Sequence, residues 1–173
     1  MVSELGAIGT PSRYCFSAGL IGCATMSALF IVGLCRACAR LGIDRLPALL
    51  LLAYTVSIAG AGIFPLPLRM HLIMGLPSVL VILSPLLGLV LWRKTPQLPG
   101  ITAAALVSLV LMSLGFLAFL PGVLPGSIGL KQRFFHLGWC VWFLYLSFGF
   151  ARAQGNLQGG DSGLLSWDRQ SPG

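Results

Sequence analysis

Six charged or ionisable side chains of this largely apolar chain could bind a ligand or transfer a proton. An arginine guanidinium offers two donors at once to a phosphate, and a histidine can gain or lose a proton near neutrality. The six residues are Glu4, Arg69, His71, Lys131, Arg133 and His136. We select four of them as candidate binding residues: Glu4, Arg69, His71 and Arg133.

Two interpretations of this polar set are open. Polar groups in or near hydrocarbon cost free energy and tend to pair, so Glu4 with Arg133 or Arg69, and His71 with His136, could together line a pocket. Alternatively, these residues lie at the membrane interface and extend their polar ends to lipid headgroups.

The same residue types do not form a recognisable metal or catalytic motif. Neither a His-Glu-x-x-His nor a His-x-x-x-His spacing is present, so we expect no metal and no cofactor. Cys35 and Cys38 have the spacing of a redox pair, but the five cysteines lie in or beside apolar runs, which favours small buried thiols. No Gly-x-Ser-x-Gly motif or phosphate-binding loop is present, so no catalytic residue can be assigned.

The composition indicates an integral membrane protein. Of the 173 residues, 57% are hydrophobic and only 9% are charged, and the mean hydropathy is +0.93. The net charge of +7 comes from bases scattered between apolar runs rather than from one basic stripe. We therefore expect membrane lipids or a membrane protein as partners, and no nucleic acid.

The apolar runs predict an all-α, polytopic bundle of about five membrane helices. A crossing needs about 20 apolar residues, and the runs suggest helices at 15–35, 46–64, 70–92, 101–120 and 134–150. Pro65 and Pro67 should end the second helix and start a tight re-entry, while Pro77 and Pro85 should kink the third. Small residues in the second helix, Ala53, Ser57 and Ala61, should permit close packing. We predict one transmembrane domain, 1–151, and a disordered polar tail, 152–173.

The distribution of basic residues predicts the orientation. Five crossings put seven Lys and Arg residues on the side of the loops after helices one and three and of the tail, against four on the other side. The positive-inside rule then makes the tail cytoplasmic. The six polar residues named above all fall on the outer face or in the first turn below it.

Three short motifs in order resemble the bacterial integral-membrane family called domain of unknown function 998. They are Val2-Ser-Glu-Leu-Gly-Ala7 before Pro11 and an apolar run, Gly62-Ile-Phe-Pro65 before His71, and Gly129-Leu-Lys-Gln-Arg133 before Trp139 and Trp142. The first motif is also distantly similar to the Frag1/DRAM/Sfk1 group. The resemblance implies a multi-pass protein of the bacterial inner membrane and places Glu4, His71 and Arg133 in family motifs.

Two departures from the family are visible. The family usually has one more membrane helix before the first motif, so we expect either a shortened form or an apolar segment encoded upstream of Met1. It also tends to carry an acid soon after Phe-Pro, and Leu66-Pro-Leu68 has none. The family has no established reaction to transfer to this chain.

The leading functional hypothesis is a membrane protein that binds a lipid, another amphiphile or a partner protein through the outer-face polar cluster. One alternative is an enzyme that acts on lipid at the outer leaflet, with His71 as general acid or base and Arg133 holding a phosphate or oxyanion. A second alternative is a structural subunit of a membrane complex.

Overall fold

The computed structural model describes residues 5–117 and 128–167. For residues 157–167 it describes the backbone alone. Within the described residues the chain forms seven α-helices and a seven-residue 3₁₀ segment, which make five passes of an antiparallel bundle. Their bounds are α1 Arg13–Leu41, α2 Leu46–Leu49, α3 Leu51–Ile63, α4 Arg69–Gly75, the 3₁₀ segment Leu76–Ile82, α5 Leu83–Leu91, α6 Ile101–Phe116 and α7 Ile128–Trp167.

The lengths of these passes confirm the predicted polytopic, all-helical class. Four stretches are long and apolar enough to cross a membrane: Arg13–Leu41, Leu46–Ile63, Arg69–Leu91 and Gly129–Asn156. The fifth, Ile101–Phe116, is an apolar helix of 16 residues. The predicted helix 101–120 extends past it into residues that lie outside the described part.

The re-entry between the second and third passes forms where the prolines predict it. Helix α3 ends at Ile63, and Phe64 leaves helical geometry with φ −110° and ψ 90°. Leu68 is extended and α4 begins at Arg69. The turn is closed by the Leu68 amide, which donates to the Pro65 carbonyl at 3.1 Å.

The third pass differs in detail from the predicted helix 70–92. It is interrupted by the 3₁₀ segment, with Pro77 in its first turn. A proline cannot donate to the preceding turn and crowds the carbonyl four residues before it, so the backbone tightens to 3₁₀ there. Pro85 lies inside α5 and is buried.

The last helix is longer than the predicted 134–150. It begins at Ile128 and its backbone continues to Trp167. The charges of Lys131 and Arg133 suggested a loop, but Lys131 is only 5% exposed and its amino group donates to the Leu117 carbonyl at 3.2 Å. The predicted domain division, with a disordered tail at 152–173, stays a prediction, although the backbone of 152–167 is helical here.

All five cysteines are free. Cys38 is buried, Cys35 and Cys140 are half-buried, and Cys15 and Cys23 are exposed on α1. The expectation of five buried thiols is therefore wrong for Cys15 and Cys23. In an apolar run, composition does not show which face of the helix turns away from its neighbours.

Candidate functional site

A cavity of about 260 Å³ lies inside one end of the bundle. It is enclosed by the start of α1, the end of α3, the third pass from α4 into the 3₁₀ segment, the end of α6 and the start of α7. The lining residues are Phe16, Leu20, Tyr54, Ser57, Ile58, Ala61, His71, Ser78, Val79, Gly115, Phe116, Gln132, Phe135 and His136. Every pass therefore contributes to it, and most of the lining is apolar.

The segment before α1 closes on the re-entry turn. The Ile8 amide donates to the Leu66 carbonyl at 2.9 Å. The hydroxyls of Thr10 and Ser12 both donate to the Leu5 carbonyl, at 3.0 and 2.6 Å. The bond between Ile8 and Leu66 holds residues 5–12 against the re-entry turn at the cavity end of the bundle.

His71 is oriented by the end of α3. Its Nδ1 lies 2.8 Å from the Phe64 carbonyl oxygen. A carbonyl can only accept, so Nδ1 carries the proton and donates it. In the neutral ring, Nε2 is then an acceptor. The proline after Phe64 leaves this carbonyl outside the helix ladder, and His71 supplies its donor.

The Nδ1 atom of His136 accepts a hydrogen bond, whereas that of His71 donates one. The indole Nε1 of Trp139, one turn further along α7, lies 3.1 Å from His136 Nδ1. An indole nitrogen can only donate, so His136 Nδ1 accepts and carries no proton. The proton of the neutral ring is on Nε2. The two histidines that line the cavity thus have opposite tautomers.

Two serine hydroxyls in the lining share one backbone acceptor. Ser78 Oγ donates to the Gly75 carbonyl at 2.6 Å and Ser57 Oγ to the same oxygen at 3.4 Å. Gly75 immediately precedes the 3₁₀ segment, where the helix ladder is broken, so its carbonyl is available to side chains. Both hydroxyls are directed at the backbone rather than at a histidine.

Close helix contact at two glycines sets the width of the cavity. A Cβ on Gly115 would lie 2.4 Å from Phe135 Cβ, and one on Gly60 would lie 2.4 Å from Met74 Cβ. The contact at Gly115 is between α6 and α7, and the contact at Gly60 is between α3 and α4. Because these backbones approach so closely, a larger side chain at either glycine would push the two helices apart.

Comparison with protein families shows which family the chain belongs to. Residues 1–149 match the family described as Protein of unknown function (DUF998). The chain belongs to the DUF998 family. Comparisons with curated proteins and with solved structures gave no match. The part matched to DUF998 includes every cavity-lining residue.

The cavity brings together some of the residues that the sequence singled out. His71 and His136 both line it, although each Nδ1 bonds elsewhere, so the proposed His71–His136 pair is not a direct hydrogen bond through those atoms. Arg69 and Arg133 are exposed and do not line the cavity. Glu4 lies outside the described residues.

Sequence reasoning missed several lining residues. Tyr54 and Phe135 lie in helical stretches that carry no motif, whereas Gln132 lies inside the Gly129–Arg133 motif but was not selected as a site residue. Ser57 and Ala61 had a signal, because they belong to the small-residue stripe of the second pass, but the stripe was interpreted as helix packing alone. In the described part of the chain, His, Cys, Asp and Glu side chains form no group of three or more that could hold a metal ion.

Proposed function

We propose that this DUF998 protein binds a membrane amphiphile, with the apolar part of the ligand against the aromatic and aliphatic lining and its polar group near the histidines. The observation that carries the proposal is one cavity, lined by all five passes, in which two histidines stand among mostly apolar side chains. Small-molecule sites are typically apolar with a few placed polar groups.

Size and position support an amphiphile from the bilayer. A volume of about 260 Å³ is slightly below the usual range of about 300–1,000 Å³ for small-molecule sites, so it suits a short chain or the head end of a larger lipid. Val79 is 38% exposed and His136 is also exposed, so the cavity opens at the bundle surface. A lipid can therefore enter from the membrane.

The lining also restricts the ligand charge. Among the described residues, no Lys, Arg, Asp or Glu side chain lines the cavity. A phosphate or ionised carboxylate inside the cavity would lack a countercharge, which is costly in an apolar site. Arg69 and Arg133, which suggested phosphate recognition from sequence, are exposed instead.

Filling the cavity provides the test. We expect Ala61→Phe to reduce photolabelling by a short-chain amphiphile carrying a diazirine by about tenfold or more, because the new ring occupies space that the ligand needs. The full chain in detergent or nanodiscs would be labelled with alcohol, methyl ether and phosphate probes that share one alkyl chain.

The matched control is Ala18→Phe. Ala18 is exposed on α1 and lies between Phe16 and Leu20, which line the cavity. The Ala18→Phe substitution adds the same ring near the same end of the bundle but outside the cavity, so it should leave photolabelling unchanged. Equal labelling of both variants and the parent by every probe, with unchanged thermal stability, would rule out ligand binding in this cavity.

The enzymatic alternative receives less support from the geometry. The fixed ring of His71 suits a general base, but the nearby hydroxyls of Ser57 and Ser78 both donate to Gly75. A nucleophile within hydrogen-bonding reach of its base is the usual sign of covalent catalysis. The serines of this cavity do not have that arrangement, so binding is the better-supported function.

A role as a structural subunit of a membrane complex rests on the exposed apolar surface. Leu29, Leu72 and Phe148 are among many large apolar side chains exposed on the isolated bundle. Lipid tails cover such a surface as well as a partner protein does, so this surface does not favour a partner over the bilayer.

We further propose a cytoplasmic C-terminus, so that the cavity lies at the outer leaflet. The proposal is supported by the exposed bases at the end of the bundle away from the cavity, which are Arg36, Arg40, Arg45, Arg93 and Lys94. A bacterial inner-membrane location and the distant similarity to the Frag1/DRAM/Sfk1 group stay predictions from the resemblance.

Thiol labelling of intact cells tests this orientation. In a cysteine-free background, Pro11→Cys should react with a membrane-impermeant maleimide added outside, whereas Gln97→Cys should react only after the cells are opened. Both positions are exposed, so burial does not mask the result. Natural Cys38 is unsuitable as a reporter because it is buried. The reverse labelling pattern would invert the topology.

A further inference from the structure

The cavity presents one hydrogen-bond acceptor and one hydrogen-bond donor from its two histidines. His71 uses Nδ1–H on the Phe64 carbonyl, so its Nε2 is the acceptor left for a ligand. His136 uses Nδ1 to accept from Trp139, so its Nε2–H is the donor left for a ligand. Within the described residues neither Nε2 has a hydrogen-bond partner.

From these opposite tautomers, we infer that the cavity selects an uncharged amphiphile whose headgroup carries a hydroxyl. A hydroxyl both donates one hydrogen and accepts others, so a hydroxyl-bearing headgroup can supply the hydrogen that His71 Nε2 accepts and the oxygen to which His136 Nε2–H donates. The inference rests on the proposed function and specifies the headgroup class.

Other headgroups satisfy only part of this pair. An ether oxygen can accept from His136 but has no hydrogen for His71. A phosphate has acceptors alone when fully ionised, and the described part of the lining holds no Lys or Arg to balance its charge. Of these headgroups, the hydroxyl matches both nitrogens, and a ligand that covers a polar group without pairing it loses affinity.

The serine and glutamine side chains in the lining do not replace the histidines in this role. The hydroxyls of Ser57 and Ser78 already donate to Gly75. Each serine oxygen can therefore only accept a hydrogen bond from a ligand. Any ligand with a donor satisfies it as well as an alcohol does. Gln132 carries both a donor and an acceptor on one side chain, and its amide can reorient to suit either headgroup, so it does not discriminate between them.

The tautomers themselves can be observed directly. The chain has two histidines, so ¹⁵N labelling of histidine gives two imidazole spin systems, which His71→Gln and His136→Gln assign. At mildly alkaline pH we expect Nδ1–H for His71 and Nε2–H for His136. Finding the same tautomer at both positions would overturn the inference before any ligand is added.

Binding of matched probes supplies the second test. With the three probes that share one alkyl chain, the alcohol should bind about tenfold more tightly than the methyl ether, since the ether leaves His71 Nε2 unpaired. The alkyl phosphate should bind more weakly than the alcohol. In His71→Phe the alcohol should lose its advantage over the ether, whereas in His136→Phe both should weaken together.

The outcomes separate this inference from the proposed function. If alcohol and ether label the cavity equally, and Ala61→Phe blocks both, the protein binds amphiphiles but does not select a hydroxyl. That result is expected if the two Nε2 atoms bind water instead of the ligand. If the phosphate is preferred, selection for an uncharged head is wrong. If no probe responds to Ala61→Phe, the proposed function itself fails.

Discussion

Replacing Trp142 with alanine is expected to lower the free energy of unfolding by about 3 to 5 kcal/mol. Trp142 is fully buried, and its ring stacks on Trp92 with centroids 6.4 Å apart and planes at 17°. Its Nε1 donates to Ser84 Oγ at 2.8 Å, and that hydroxyl donates to the Pro47 carbonyl at 2.7 Å. One side chain therefore connects α7 to α5 and, through Ser84, to α2.

Two further variants separate the packing of Trp142 from its hydrogen bond. Trp142→Phe retains an aromatic ring but removes the donor to Ser84, so we expect a smaller loss of about 1 to 2 kcal/mol. Phe148→Ala is the exposed control on the same helix, since Phe148 is 73% exposed, and should change stability little. Unfolding by SDS in mixed micelles measures all three. A Trp142→Ala variant as stable as Phe148→Ala would contradict this account of the core.

Gly138→Leu is expected to destabilise the protein by about 3 kcal/mol, at the upper end of the usual cost of overpacking. A Cβ on Gly138 would lie 2.9 Å from both the Met112 backbone nitrogen and the Ser108 carbonyl oxygen. These are backbone atoms of α6, which cannot move aside like the end of a flexible side chain. Helices α6 and α7 would have to separate.

The matched control for this substitution is Gly129→Leu on the same helix. Among the described residues, a Cβ on Gly129 would meet nothing within 4 Å, so the same added side chain should be tolerated. The comparison uses thermal unfolding in detergent, followed by the amphiphile-binding assay. Gly138→Leu should also weaken ligand binding, because α6 and α7 both line the cavity. Equal stability of the two variants would show that α6 and α7 do not approach as closely as described.

Hydropathy and proline chemistry were sufficient to predict the passes and the re-entry. Apolar length identifies a membrane helix because the bilayer requires about 20 residues to cross it, and Pro65 ends α3 because proline cannot continue the helix ladder. The start of α7 was not predictable in this way. Lys131 is charged yet lies inside a helix, since its amino group reaches the Leu117 carbonyl, a contact between segments that composition does not reveal.

The candidate site was predictable only at the level of which end of the bundle it occupies. Alternating passes place His71 and His136 at the same end, and they do line one cavity. Which side of each helix faces inward was not predictable, because lipid-facing and core-facing residues are both apolar in a membrane bundle. For that reason Arg69 and Arg133, close in sequence to the histidines, were grouped with them although both are exposed.

The 3₁₀ segment also affects how the third pass matches the thickness of the bilayer. Seven residues, Leu76–Ile82, have this geometry, which rises about 2.0 Å per residue instead of about 1.5 Å in an α-helix. The segment is therefore about 3.5 Å longer than the same residues would be as α-helix. This pass consequently crosses a given hydrocarbon thickness with about two fewer residues than a continuous α-helix would need.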